Sequence, residues 1–377
     1  MTRYMTTVLA AFLASTAVQP LQARDSIQAA TWIPPSHQVS RYLFDYWADR
    51  VAERSDGSLI VNVDLGSLMV SPRGAMAELA DGIVDVTSHV AQYTPTELAL
   101  SNALEELGMR YSDPRVMIAA STDFGVNAPE MRSEWARNGI VFGAGYVTAL
   151  YKLVCNRPVK TLDDMQGAKL RLPGRAPADW ANSTGAVTVA LNANEQYGAL
   201  DKGALTCTTT TMADAYNRKL FEVATHVTDL PITLFWAGFG WAYNPAAWAD
   251  LTVGQRQTVL DAGADAIAAY VARALNREED EARGKLAAEG VTFHQPGALL
   301  TASIEAFRAK QSEVAVGVAQ QAFGIENAED LVGRFQATVE KWETLLSSVP
   351  VEDEAAFAGL LRSEIFDKID LTAYPAD

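Results

Sequence analysis

Apolar and polar residues follow two alternating periods along the chain. Ile27–Ile33 is a short apolar run that reads as a strand and stops at Pro34-Pro35. Tyr42, Leu43, Tyr46, Trp47 and Val51 then recur at helical spacing, so a helix with one apolar face follows and ends near Ser55-Asp56-Gly57. Leu59–Val63 reads as the next strand. A helix starting at Pro72 carries Met76, Leu79 and Ala80 and ends at Gly82, with Ile83–Val86 as a buried strand behind it. Strands alternating with helices imply a parallel or mixed sheet covered on both faces.

The phrase Leu79–Val86 has a counterpart at Leu200–Cys207, each with a glycine three after the leucine and an apolar strand beyond. Glycine just past a helix end suits a backbone turn with positive φ. A match of this length is common by chance, but with α/β alternation on both sides it predicts two similarly built lobes. Ala149–Val154 and the aromatic stretch Leu234–Tyr243 are the candidate crossovers between them. Two lobes joined by more than one strand make a hinged clamshell, whose cleft suits a small ligand. The last third is helical, over Val253–Leu275, Ile304–Phe323 and Ala328–Ser347, and the charged run Asn276–Glu281 reads as a solvated helix face. Pro350–Asp377 mixes acids with Phe357, Leu360, Leu361, Ile365 and Phe366, as a further short helix or a partner-binding arm. The expected organisation is a leader at 1–23, lobe I at 24–150 plus about 237–275, lobe II at 151–236 plus about 276–348, and an extension at 349–377.

Composition narrows the function classes. The chain has 377 residues, 49% hydrophobic and 20% charged, with 30 Lys+Arg against 46 Asp+Glu and a formal charge of −16. It is too apolar for disorder and too interrupted by charge for an integral membrane protein. The acid excess argues against nucleic acid and anionic membranes, because Lys and Arg supply most of that affinity. Met1–Ala23 has one Arg, an apolar core from about Val8 to Val18, then Pro20 and a small residue at Ala23. That is the three-part pattern of a cleaved secretory leader. No Cys near it offers a lipid anchor. In an exported chain the pair Cys155 and Cys207 favours a disulfide over two buried thiols or half a metal site. The four histidines stand singly at 37, 89, 226 and 294, without metal-ligand spacing, so no metal or cofactor is expected. No nucleophile elbow, zinc-protease motif, P-loop or complete dinucleotide fingerprint is present. No catalytic residue is therefore assigned, and binding is favoured over catalysis.

One stretch is distinctive. Asn156-Arg157-Pro158-Val159 leads into Thr161–Pro173, where a short helix capped by Thr161 or Asp163 ends at Gly167 and a strand Lys169–Leu172 stops at Pro173. Arg171 then emerges at a strand end, where α/β folds present ligand contacts. A helix beginning at Glu195 leads through Tyr197, Ala199 and Leu200 to Gly203. These residues resemble the periplasmic solute-binding proteins of TRAP (tripartite ATP-independent periplasmic) transporters, the DctP family. The resemblance covers roughly residues 26–348, with Glu78, Gly82, Asp85, Ser55 and Gly57 matching in the N-terminal part. It implies a two-lobed α/β clamshell of the type II kind, binding an organic acid and working with integral-membrane transporter subunits. It places the ligand carboxylate on Arg171, and a guanidinium suits that role because it is always charged and binds bidentately. A second family contact, often Arg or Gln, falls on Tyr151, and another, often Asn, falls on Thr210 within the run Thr208–Thr211. Trp236 at the second crossover, with His37, Gln92 and Tyr93 at strand-to-helix turns, completes the expected cleft, beside Trp32, Phe235 and Trp241. Trp180 and Trp342 read as packing. The rival readings are a type II binding protein of an ATP-driven importer, and a periplasmic enzyme using the same cleft.

Overall fold

The computed structural model describes residues 25–236 and 238–375, so the leader expected at 1–23 lies outside the described residues. Its strands are β1 (Asp25–Thr31), β2 (Leu59–Leu65), β3 (Val86–Val90), β4 (Val141–Ala144), β5 (Lys152–Cys155) and β6 (Lys169–Arg171). β7 (Val187–Thr188), β8 (Cys207–Thr210), β9 (His226–Thr228), β10 (Gly238–Tyr243) and β11 (Thr292–His294) follow. They form two sheets, ordered β2-β1-β3-β10-β4 and β11-β9-β5-β8-β6-β7. In each sheet one strand from across the hinge runs against its neighbours. β10 is antiparallel to β3 and β4, and β5 is antiparallel to β8 and β9.

The two matched glycines do what the pattern required. Gly82 and Gly203 take φ of 73° and 67° just after the helices Ala75–Ala80 and Gln196–Asp201. The strand after Gly82 starts later than expected, because Ile83 turns out to solvent and β3 begins only at Val86. After Asn156-Arg157-Pro158, the Thr161 hydroxyl accepts from the Asp164 N–H, while the Asp164 carboxylate accepts from the Thr161 N–H at 2.9 Å. That reciprocal cap starts the helix Leu162–Met165. Cys155 and Cys207 face each other in the β5–β8 register and form a disulfide.

The crossovers pair with each other. Leu150 bridges Leu234, the Thr148 N–H donates to the Phe235 carbonyl and the Tyr151 N–H to the Thr233 carbonyl, both at 2.9 Å. A third connection is helical: Val253–Ala269, Tyr270–Glu278 and Glu279–Ala288 run on without a break. Val259 and Ile267 lie in the core under the first sheet, while Ala282 and Leu286 lie in a core of the second. The lobe boundaries differ from the sequence expectation at the end of the chain. The helices Gln311–Phe323 and Ala328–Leu346 bury Ala315, Ala319, Phe335, Val339 and Trp342 in the first core, not the second. Their apolar faces were legible, but which lobe they cover is a long-range choice. The extension packs there too, through Phe357, Leu361, Ile365 and Phe366. Among the described residues no helix is long and apolar enough to cross a membrane.

Candidate functional site

Between the lobes lies a cavity of about 420 Å³, within the range of small-molecule sites. Arg171 reaches it as the last residue of β6. Its backbone is pinned from β8, where Thr208 is its ladder partner and the Thr209 hydroxyl donates to its carbonyl at 3.3 Å. Arg171 is 5% exposed, and its Nε–H donates to the Leu191 carbonyl at 3.2 Å. Burial lowers its hold on the proton, with Tyr151 and Tyr93 acting the other way, but a guanidinium stays charged. Among the described residues no carboxylate pairs with it.

The acid whose charge acts on Arg171 is already committed. Asp214 sits in the helix Met212–Asn217, which leaves β8 through the Thr211 cap. One of its oxygens lies 2.9 Å from His37 Nε2, and the other accepts from Arg218 Nε at 3.0 Å. The Val39 N–H donates to His37 Nδ1, which leaves Nε2 as the ring nitrogen carrying hydrogen toward Asp214. Burial opposes the Asp214 charge, yet Arg218 and His37 outweigh it and hold the carboxyl far below the usual carboxylate range. The contact joins the lobes, since His37 belongs to the first and Asp214 to the second. Glu279 closes the same helix start, accepting from the Met212 and Ala213 N–H groups at 2.6 and 2.9 Å. The run Asn276–Glu281 is therefore not simply a solvated face. Burial pushes the Glu279 carboxyl up to about 7 against those two donors.

Asp214→Asn should lower stability by about 3–5 kcal/mol, because it leaves Arg218 buried beside a neutral amide. The wild-type contribution is complete above the ordinary carboxylate value, since the folded-state carboxyl is held lower, and is lost only as pH falls below that value. Thermal unfolding of both chains between pH 3 and pH 8 checks it: equal melting temperatures throughout would dismiss the network.

Aromatic rings supply the walls. Trp32 and Tyr93 meet at 6.3 Å, Tyr151 lies parallel to Phe235 at 6.1 Å, and Tyr146 meets Phe235 edge-on at 6.1 Å. The Tyr93 hydroxyl accepts from the Ala193 N–H at 3.4 Å, a second contact between the lobes. Burial raises the Tyr151 phenol well above its ordinary value, with Arg171 pulling against it.

Of the residues singled out from sequence, Arg171, Tyr151, His37, Gln92 and Tyr93 line the cavity, as do Trp32 and Phe235. Thr210 and Trp236 are not among its lining residues. Thr210 is 1% exposed in β8 opposite Lys152. Trp236 stacks on Phe335 at 4.8 Å and 5°, from a helix a hundred residues later that the local pattern could not place. Trp241 is likewise core, its ring tilted against that of Trp47. Trp180 and Trp342 pack in the second and first cores. Sequence reasoning missed Asp214, Arg218, Tyr146 and the buried acids Glu105 and Glu106, all of which line the cavity. The i,i+4 spacing of Asp214 and Arg218 was visible, but on most helices it marks an exposed pair.

The comparisons with known proteins agree with this architecture. The family model described as bacterial extracellular solute-binding protein, family 7 (DctP), matches residues 29–321. An outer membrane transporter protein, TsaT, from Comamonas testosteroni is 23% identical over 270 residues, covering 70% of this chain and 77% of that protein. Among solved structures, a marine metagenome TRAP solute-binding protein specific for aromatic acid ligands has a TM-score of 0.74 at 20% identity, covering 85% of this chain and 99% of its own. A TRAP solute-binding protein from Rhodoferax ferrireducens with copurified benzoate has a TM-score of 0.73 at 18% identity, with the same shares covered. One from Bordetella bronchiseptica with bound mandelate has 0.71 at 21% identity, covering 84% and 99%. With two lobes crossed at a paired hinge, a cleft between them and the family's match over most of its length, the chain belongs to the DctP family of bacterial extracellular solute-binding proteins, the receptors of TRAP transporters.

Proposed function

We propose that this protein is an extracytoplasmic receptor that closes over a monocarboxylic acid with an aromatic or otherwise apolar body and delivers it to the membrane subunits of a TRAP transporter. The observation that carries the reading is Arg171, a buried guanidinium facing a ring-walled cavity with no protein carboxylate as partner. Buried charges are paired, so its counter-charge comes from the ligand. Tyr151 at the second family position brings a ring and a hydroxyl but no charge, which favours one carboxylate over two. Relatives of the same fold bound to benzoate and mandelate support the ligand class.

The chain's −16 charge does not attract such an anion, and recognition is local. Closure over the ligand removes water from the Arg171–carboxylate pair and strengthens it. A thermal-shift screen of organic acids tests the reading. A true ligand at 100 times its Kd stabilises by about 2.7 kcal/mol, whereas a flat response to benzoate, mandelate and phenylacetate together would overturn it.

A further inference from the structure

The cavity has a second polar wall that Arg171 does not serve. Glu105 and Glu106, at the end of the helix Ala99–Glu105, are 3% and 2% exposed and line the cavity. Glu106 Oε2 is buried without a hydrogen-bond partner, as are both amide atoms of Gln92 and Nδ1 of His89. His89 is 1% exposed, and its other ring nitrogen is 2.8 Å from the Thr94 hydroxyl. Glu105 is pressed against Gly174 of the other lobe, close enough that a Cβ there would come within 2.6 Å of its carboxylate. Buried polar atoms left unpaired are costly, and these four belong to residues that line one cavity.

The charge balance distinguishes this wall from the Arg171 end. Glu105 is held well above the usual carboxylate range by burial and then by Glu106, with the Gln92 amide opposing. Burial pushes Glu106 up to about 7, against the pull of Arg175. The groups acting on Arg171 are instead Tyr151, Tyr93, Arg218 and Asp214. Arg175, the cation that acts on Glu106, is half exposed and paired with Asp179. A second carboxylate on this wall would meet two acids and no buried cation. A hydroxyl meets acceptors in Glu106 Oε2 and Gln92 Oε1.

Resting on the proposed function, we infer that Glu105, Glu106, Gln92 and His89 form a specificity patch that reads a hydroxyl group on the body of the ligand and rejects a second carboxylate. The ligand class narrows to hydroxylated monocarboxylic acids.

Calorimetry with benzoate, 3-hydroxybenzoate, 4-hydroxybenzoate and the dicarboxylate terephthalate tests this. At least one hydroxybenzoate should bind tenfold or more tighter than benzoate, and terephthalate should bind at least a hundredfold weaker than that isomer. In Gln92→Leu the hydroxyl advantage should fall to threefold or less. Glu106→Gln, which keeps the volume if the leucine variant misfolds, should raise the relative affinity for terephthalate. Equal binding of benzoate and both hydroxybenzoates, with Arg171 still required, overturns the patch but leaves the carboxylate anchor standing. An undiminished hydroxyl advantage in Gln92→Leu, or no change for terephthalate in Glu106→Gln, also overturns it. Failure of all four acids to bind overturns the patch together with the function it rests on.

Discussion

Replacing Arg171 with alanine should weaken ligand binding by at least a hundredfold while leaving the chain folded. Truncating one partner of a buried, hydrogen-bonded charge pair costs about 2–5 kcal/mol, and the ligand carboxylate would be left in an apolar cleft without a counter-charge. Stability should move little, or rise. The guanidinium has been taken out of water with one carbonyl and no carboxylate to compensate, so the unliganded protein gains nothing from its charge. Arg171→Lys should fall between the two, because an ammonium is a point charge that cannot hold both carboxylate oxygens from one plane. Calorimetry with an acid found in the screen, alongside the melting temperature of each unliganded chain, reads both quantities. An alanine variant with wild-type affinity would remove Arg171 from the site.

The second large effect should come from the far end of the chain. Ending the protein after Pro350 should abolish cooperative unfolding or lower the melting temperature by more than about 10 °C. The helix Glu354–Glu364 and the turn beyond it bury Phe357, Leu361, Ile365, Phe366, Leu371 and Tyr374 against the first lobe. At about 1.5–3 kcal/mol for each large apolar side chain, their removal approaches the whole stability of a typical domain. Polar ties go with them. The Tyr374 hydroxyl donates to the Phe142 carbonyl at 2.6 Å, Trp248 Nε1 donates to the Tyr374 carbonyl, and Arg362 and Arg273 pair with Asp265 and Glu354. No described residue of this segment lines the cleft, so the loss is one of folding and not of recognition. Circular dichroism melts of the shortened chain decide it. A native-like melt would return the tail to the role of a partner-binding arm.

The parts of the molecule legible from sequence share a physical character: each is a local decision. Gly82 and Gly203 end helices because only the next few backbone torsions are at stake, and Thr161 with Asp164 starts one because both halves of the cap lie within four residues. Arg171 was legible at the end of a short strand because Gly167 and Pro173 bound that strand within a few residues. The turns that carry Trp32, His37, Gln92 and Tyr93 brought those residues to the cleft by the same logic.

Reading failed where the partner is distant in sequence. Trp236 has the composition of a ligand contact, and only the arrival of Phe335 makes it core. Thr210 looked inward along β8, but the strand ends there and the following helix carries Asp214 and Arg218 to the cavity instead. Glu279 looked solvated until the start of another helix packed onto it.

Periodicity and turn chemistry by themselves determined the α/β alternation, the crossovers and the position of Arg171 at a strand end, because these follow from torsions and spacing within a few residues. The tertiary structure alone decided which lobe the final helices cover and which acids face the cavity. It also decided that Asp214 is paired with His37 and Arg218, while no carboxylate among the described residues pairs with Arg171. Those outcomes depend on burial and on charges brought together across more than a hundred residues, and no local pattern carries that information.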